Sequence, residues 1–229
     1  MSDIFREVEE DVRREQLKSL WDRYGVFVIG VALLIVLGTA GWRGWEWYSA
    51  RQAAQTGAEY YAAMQLALDG KPEEAEAAFN EIAAKGSGFA TLARLRAAAA
   101  RAEAGDKAGA VAEYDAVASG AGTGTDLRNV ARIRAGYILL ELEDQGAVEQ
   151  RVGELAAEGN PWRNSARELL GLAAYQAGDT DTATQRFEEI LADSETPQDM
   201  RARAQLMISL LAADRAPASG ADESGAADQ

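Results

Sequence analysis

The residues best suited to covalent or acid–base chemistry are scarce in this 229-residue chain. It contains no His and no Cys. Without His it lacks the commonest general base and metal ligand. Without Cys it has no thiol nucleophile, thiolate metal site or disulfide, a composition compatible with either redox compartment. Carboxylates remain, and Glu73, Glu74 and Glu76 crowd together. They fall at the start of a helical segment, where negative charge complements the positive dipole end. No Asp/Glu group has calcium-loop spacing. Residues 120–124 are glycine-rich, as a phosphate loop would be, but no Gly-Lys-Ser/Thr follows and no strand pattern precedes them, so they read as linker. Aromatic residues outside the packing column and the anchor include Tyr60, Tyr61, Tyr137, Trp162 and Tyr175. Their default role is core packing, and Tyr60, Tyr137, Trp162 and Tyr175 are the candidates for lining a binding groove. No catalytic, cofactor-binding or metal-binding residue is assigned, and neither a nucleophile–base pair nor a metal constellation is visible.

The elements around these residues begin with residues 24–42, YGVFVIGVALLIVLGTAGW, nineteen residues without a charge. A helix of that length spans roughly 28 Å, close to the ~30 Å hydrocarbon core of a bilayer. Trp21 and Tyr24 stand at one end and Trp42, Trp45 and Trp47 at the other, with Arg43 beside them, as interfacial aromatic belts require. The twenty residues before the run hold Arg6, Arg13, Arg14, Lys18 and Arg23; the twenty after it hold Arg43 and Arg51. That excess predicts a single-pass type II anchor with its N-terminus cytoplasmic and the remainder exported. A cleaved signal peptide is the rival, given the small residues Gly38, Thr39 and Ala40. The long acidic head and the length of the apolar run favour an uncleaved anchor.

Residues 2–23 read as an amphipathic helix. Ile4, Val8 and Val12 recur every four residues beside Phe5, and Leu17, Leu20 and Trp21 extend the apolar face. Glu9 to Arg13 and Glu10 to Arg14 are i,i+4 pairs in the favourable order. Such a helix lies along the membrane or docks a cytosolic partner or a neighbouring membrane subunit. Beyond residue 42 there are 18 basic and 30 acidic residues, which carry −12 of the total formal charge of −14. So acidic a region repels nucleic acid and anionic lipid, and nucleic-acid binding is set aside.

From residue 49 to 215 the chain is a series of helices with an internal repeat. Ala75, Ala110, Val148 and Ala183 align; four residues on stand Phe79, Tyr114, Val152 and Phe187, and three further on Ile82, Val117, Leu155 and Ile190. Twelve residues upstream of the first column are Ala63, Ala98, Gly136 and Gly171, all small. The steps are 35, 38 and 35 residues. Small residues let paired helices approach, and the aromatic column fills the space between repeats. This pattern resembles tetratricopeptide (TPR) repeats, whose period is ~34 residues. Gly70, Gly105 and Gly178 suit helix C-caps in the turns, where the third hairpin has Glu143 and Asp144 instead. Asp126 reads as an N-cap after the 120–126 linker, and Pro161 and Pro197 open the fourth hairpin and a final helix over 198–214, which reads as a cap.

The expected fold is all-α: an amphipathic head (1–23), one transmembrane helix (24–42), a TPR-like α-solenoid of about four hairpins plus a capping helix (43–215), and an acidic tail (216–229) that lacks any large apolar residue and reads as disordered. The anchor followed by GWRGWEWYSARQ at residues 41–52, together with this repeat domain, resembles the ancillary SecYEG translocon subunits, the YfgM-like family, in its alphaproteobacterial form. That resemblance implies a bacterial inner-membrane protein facing the periplasm, without cofactor or catalytic residues. It also implies partnership with SecYEG, a PpiD-like chaperone and exported polypeptides. The head here is longer than in that family, and the acidic tail departs from it. A cell-envelope assembly or division scaffold, or a regulator bound through the head, are the alternatives with the same architecture.

Overall fold

The structure, a computed structural model, describes residues 2–215, without the side chains of residues 2–17, 19, 20 and 215. The expected apolar face of the head and the expected disorder of the tail lie outside what is described. All regular elements among the described residues are helical. Helix α1 (Ser2–Leu68) is followed by α2 (Pro72–Ala84), α3 (Ala90–Glu103), α4 (Lys107–Ser119), α5 (Thr125–Glu141), α6 (Gln145–Val152), α7 (Arg163–Gln176), α8 (Thr180–Ala192) and α9 (Gln198–Arg215). A 3₁₀ turn, Gly153–Ala156, extends α6.

The chain divides into two compact units, residues 1–55 and 56–229. In the first unit the apolar run of α1 is bare on all sides: Val26, Ile29, Leu34 and Leu37 are all exposed. A helix that is apolar all round must be covered by lipid or by other protein. At the end of the run Arg43 pairs with Glu46 (3.0 Å), and Arg51 lies 5.4 Å from the Trp47 ring centroid.

In the second unit the last turns of α1 pair with α2, α3 with α4, α5 with α6 and α7 with α8. One turn design joins each pair. The first helix closes with two crossed bonds, 6→1 and 5→2: Asp106 N to Arg101 O (3.1 Å) and Gly105 N to Ala102 O (3.0 Å). The same pair recurs at Lys71/Gly70, Asp144/Glu143 and Asp179/Gly178. This is the Schellman end, which needs a left-handed residue at its apex. Gly70, Gly105 and Gly178 supply it with φ of 74°, 99° and 78°; Glu143 is forced to φ 58° at the equivalent place. The next residue then starts the second helix. Asp106, Asp144 and Asp179 accept from the backbone amides of Gly109, Ala147 and Thr182 (2.9, 3.0 and 3.0 Å).

The expectation that Asp126 caps α5 is corrected. The helix starts two residues earlier than that cap would place it, at Thr125, with Gly124 in the cap position, and Asp126 lies in the first turn. There its charge still meets the positive dipole end. The preceding chain is held instead by Arg128, whose Nε donates to the Thr123 carbonyl (2.7 Å).

The core is divided. One cluster gathers Ala63, Ala75, Phe79, Ile82, Ala93 and Ala97 in the first hairpin and α3. A second runs from Leu95 through Tyr114, Ile133 and Val152 to Leu169. A third holds Ala183, Phe187 and Ile190 of α8 against Ala204 and Leu211 of α9.

Candidate protein-interaction face

All twelve repeat-column residues are buried, from Ala75, Phe79 and Ile82 through Ala110, Tyr114, Val117, Val148, Val152 and Leu155 to Ala183, Phe187 and Ile190. Their second helices press on the small column of the first helices. A Cβ on Gly171 would stand 3.0 Å from the Phe187 ring, and one on Gly136 3.0 Å from Leu169 and 3.3 Å from Val152. A methyl group here would require these neighbours to shift by a few tenths of an ångström in a close-packed interior.

Buried columns leave the opposite faces free. First helices of successive hairpins approach each other, α3 with α5 and α5 with α7, more closely than second helices do. A helical repeat stack bends toward the layer whose neighbours lie closer, so the first helices form the inner layer. That layer is also the basic one. Each of α3, α5, α7 and α9 carries two or three arginines, whereas α2 has four glutamates and no basic residue. Arg96 and Arg134 make no ion pair among the described residues, and both act on the Tyr114 hydroxyl, whose pKa is raised by burial while their charges pull it back down. An acidic domain thus presents uncompensated guanidinium groups on its inner layer.

At the centre of that layer three first helices meet. Glu168 of α7 is buried. Arg203 of α9 donates to both its oxygens (2.7 and 3.2 Å), and the Tyr137 hydroxyl of α5 donates to it at 3.2 Å. Arg203 also reaches Asp199 (3.1 Å). Burial first, then the Glu168 charge, push the Tyr137 pKa up to about 12. The hydroxyl therefore stays a donor at any physiological pH. A second polar lock sits where α8 leads into α9. Arg163 binds Asp193 (2.9 Å through Nη2) and Glu195 (2.6 Å), and Asn164 donates to Asp193 (3.1 Å). These donors, Arg163 foremost, hold the Asp193 carboxyl well below the usual range. An open cavity of about 710 Å³ lies over this lock, lined by Glu158, Arg163, Arg167, Glu189 and Glu195.

The four groove candidates separate in this structure. Tyr137 is exposed on the inner layer, with Leu92 also exposed on α3. Tyr60 is half-buried and meets the ring of Phe79 edge-on (5.4 Å) and that of Phe89 at 5.6 Å. Trp162 packs partly buried against the central cluster, and Tyr175 against the α8–α9 cluster. Of the interface set, Trp21, Tyr24, Trp42, Arg43, Trp45 and Trp47 are all exposed on α1. Glu74 pairs with Lys71 (3.4 Å) and Glu76 lies 3.9 Å from Arg101. Among the described residues no acidic group is arranged to hold a metal ion.

Two features were missed from the sequence. The three capping aspartates were legible as Asp after each turn residue. Glu168 was legible as a charge in a column otherwise filled by Leu95 and Ile133.

A family model described as a tetratricopeptide repeat-like domain matches residues 18–213. No curated protein and no solved structure matches the chain.

Proposed function

The chain belongs to the tetratricopeptide repeat-like domain family, and on that premise we propose that it is a non-enzymatic, membrane-anchored adaptor of the protein-export machinery. Repeat folds of this kind are protein-interaction scaffolds. The observation that carries the membrane part is the span of the match. It begins at residue 18, ahead of the bare apolar run, so run and repeats belong to one family unit. Residues 24–42 are read as the bilayer span, with the head, whose flank holds more Lys and Arg than the far side, cytoplasmic and residues 43–215 in the periplasm of a bacterial inner membrane. The inner layer, with Tyr137, Leu92, Arg96 and Arg134 exposed, offers an extended polypeptide apolar contact and charge-assisted hydrogen bonds together. The anchor confines that surface to the membrane plane, where its effective concentration toward a membrane partner rises.

The partners proposed are the SecYEG translocon and a PpiD-like chaperone, with emerging exported chains as clients. The support is the GWRGWEWYSARQ segment next to the anchor. Affinity purification of the full chain in mild detergent after cross-linking in intact membranes tests it. Recovery of translocon and chaperone subunits is the expected result; absence of both overturns the assignment. Even distribution around the cell envelope is expected, against the septal or polar enrichment of a division scaffold.

A further inference from the structure

We propose that α9 is a homophilic docking surface, on which two copies of this chain pair antiparallel along the bare stripe of each α9. Ser209 falls 38 residues after Gly171, in the small column of Ala98, Gly136 and Gly171. Three residues before that column stand Leu95, Ile133, Glu168 and Leu206. The first three are 9%, 6% and 6% exposed; Leu206 is 69% exposed. Helices α3, α5 and α7 each have a second helix on either side, whereas α9, which packs on α8 and reaches α7 through Arg203 and Glu168, meets no helix on its other side among the described residues. Its covered side is Ala204, Met207, Ile208 and Leu211. Its bare side is Ala202, Leu206 and Leu210, one turn apart along a single stripe.

The stripe is self-complementary. An antiparallel pairing centred between Leu206 and Leu210 sets each leucine against the other copy's partner leucine, with the small Ser209 permitting close approach. The same pairing brings Asp214 of each copy toward Arg201 and Arg203 of the other. Residues 216–229 carry no large apolar side chain to seat on the stripe. Two leucines and flanking alanines per copy bury less than the ~1,200 Å² of a stable free-standing complex. The pairing therefore depends on confinement of copies in one membrane, a clause that rests on the anchored reading above.

The chain has no cysteine, so single replacements report without background. Leu206→Cys, Ser209→Cys and Leu210→Cys, in the full chain reconstituted into lipid vesicles, are treated with a short bismaleimide. Gln185→Cys on the exposed side of α8 is the control. Dimer bands at the three α9 positions but not at 185 are expected, together with loss of the Leu210→Cys band on adding Leu206→Glu, with the helical circular dichroism unchanged. Absence of dimer both in vesicles and in concentrated detergent solution overturns the pairing. Dimer of equal yield in both media keeps the pairing but removes the anchored reading. In native membranes, adducts of a different mass in place of the dimer give the stripe to another protein and overturn the homophilic occupant.

Discussion

Replacing Glu143 by Gly should stabilise the repeat unit, although it deletes a whole side chain. Glu143 occupies the left-handed apex of the third turn at φ 58°, where the other three hairpins have Gly. Its side chain is exposed and makes no hydrogen bond or ion pair among the described residues. Left-handed backbone costs an L-residue about 1–2 kcal/mol. Glycine removes that strain but gives the unfolded chain more freedom, which costs roughly 0.4–1 kcal/mol. The difference is a net gain of about 0.5–1 kcal/mol. For a unit of this size that corresponds to a rise in Tm of about 1–4 °C. Urea unfolding of the full chain in detergent, followed by far-ultraviolet circular dichroism, measures it against a control, Asp144→Ala. The control leaves the apex unchanged but removes the cap to the Ala147 amide, with an expected loss of about 1 kcal/mol. An unchanged or lowered midpoint for Glu143→Gly would refute the strain argument, because nothing else in the structure opposes the substitution.

Three further outcomes follow from packing and charge. Gly171→Ala gains about 1 kcal/mol of helix propensity, yet its methyl meets the Phe187 ring at 3.0 Å. Overpacking costs about 1–3 kcal/mol, so the midpoint should fall by roughly 1 kcal/mol net. Arg203→Ala strips Glu168 of its cation and should cost about 2 kcal/mol, discounted because Arg203 is half-exposed; adding Glu168→Gln should recover part of that loss in the same unfolding assay. The Asp193 carboxyl is held low in the folded state by Arg163, so its stabilisation is complete above the unfolded value near 3.9 and is lost as the pH falls below it. The stability gap between the wild type and Asp193→Asn should narrow between pH 7 and pH 3, and a constant gap would contradict the lock.

The helices were legible because the physics that makes them is periodic. Phe79, Tyr114, Val152 and Phe187 recur at the spacing that puts one large side chain between each pair of small ones, and burial follows from that register. Turn chemistry was half legible. Gly70, Gly105 and Gly178 announced themselves, whereas Glu143 could be placed only by counting from Val148, since nothing about Glu favours a positive φ. The inner-layer lock was not legible as a contact. Glu168 and Arg203 are 35 residues apart and on helices that meet only after the repeats have stacked. Aromatic identity was the weakest guide. Trp162 and Tyr175 have the same chemistry as Tyr137, but their faces are decided by where they fall on α7 and the loop before it. A ring fills a core as readily as it lines a groove.

Because the core is parcelled into three clusters instead of one, the domain need not come apart in a single step. The third cluster is built from α8 and α9 with Leu172, Ala174 and Tyr175 of α7 against it, and the Arg163–Asp193 and Arg203–Glu168 contacts are among its polar ties to α7. Tension applied at the C-terminal side would reach α9 first and would have to break those ties before reaching Tyr114 or Phe79. Failure under load would begin at the α8–α9 end of the stack, and the first hairpin would be the last to yield.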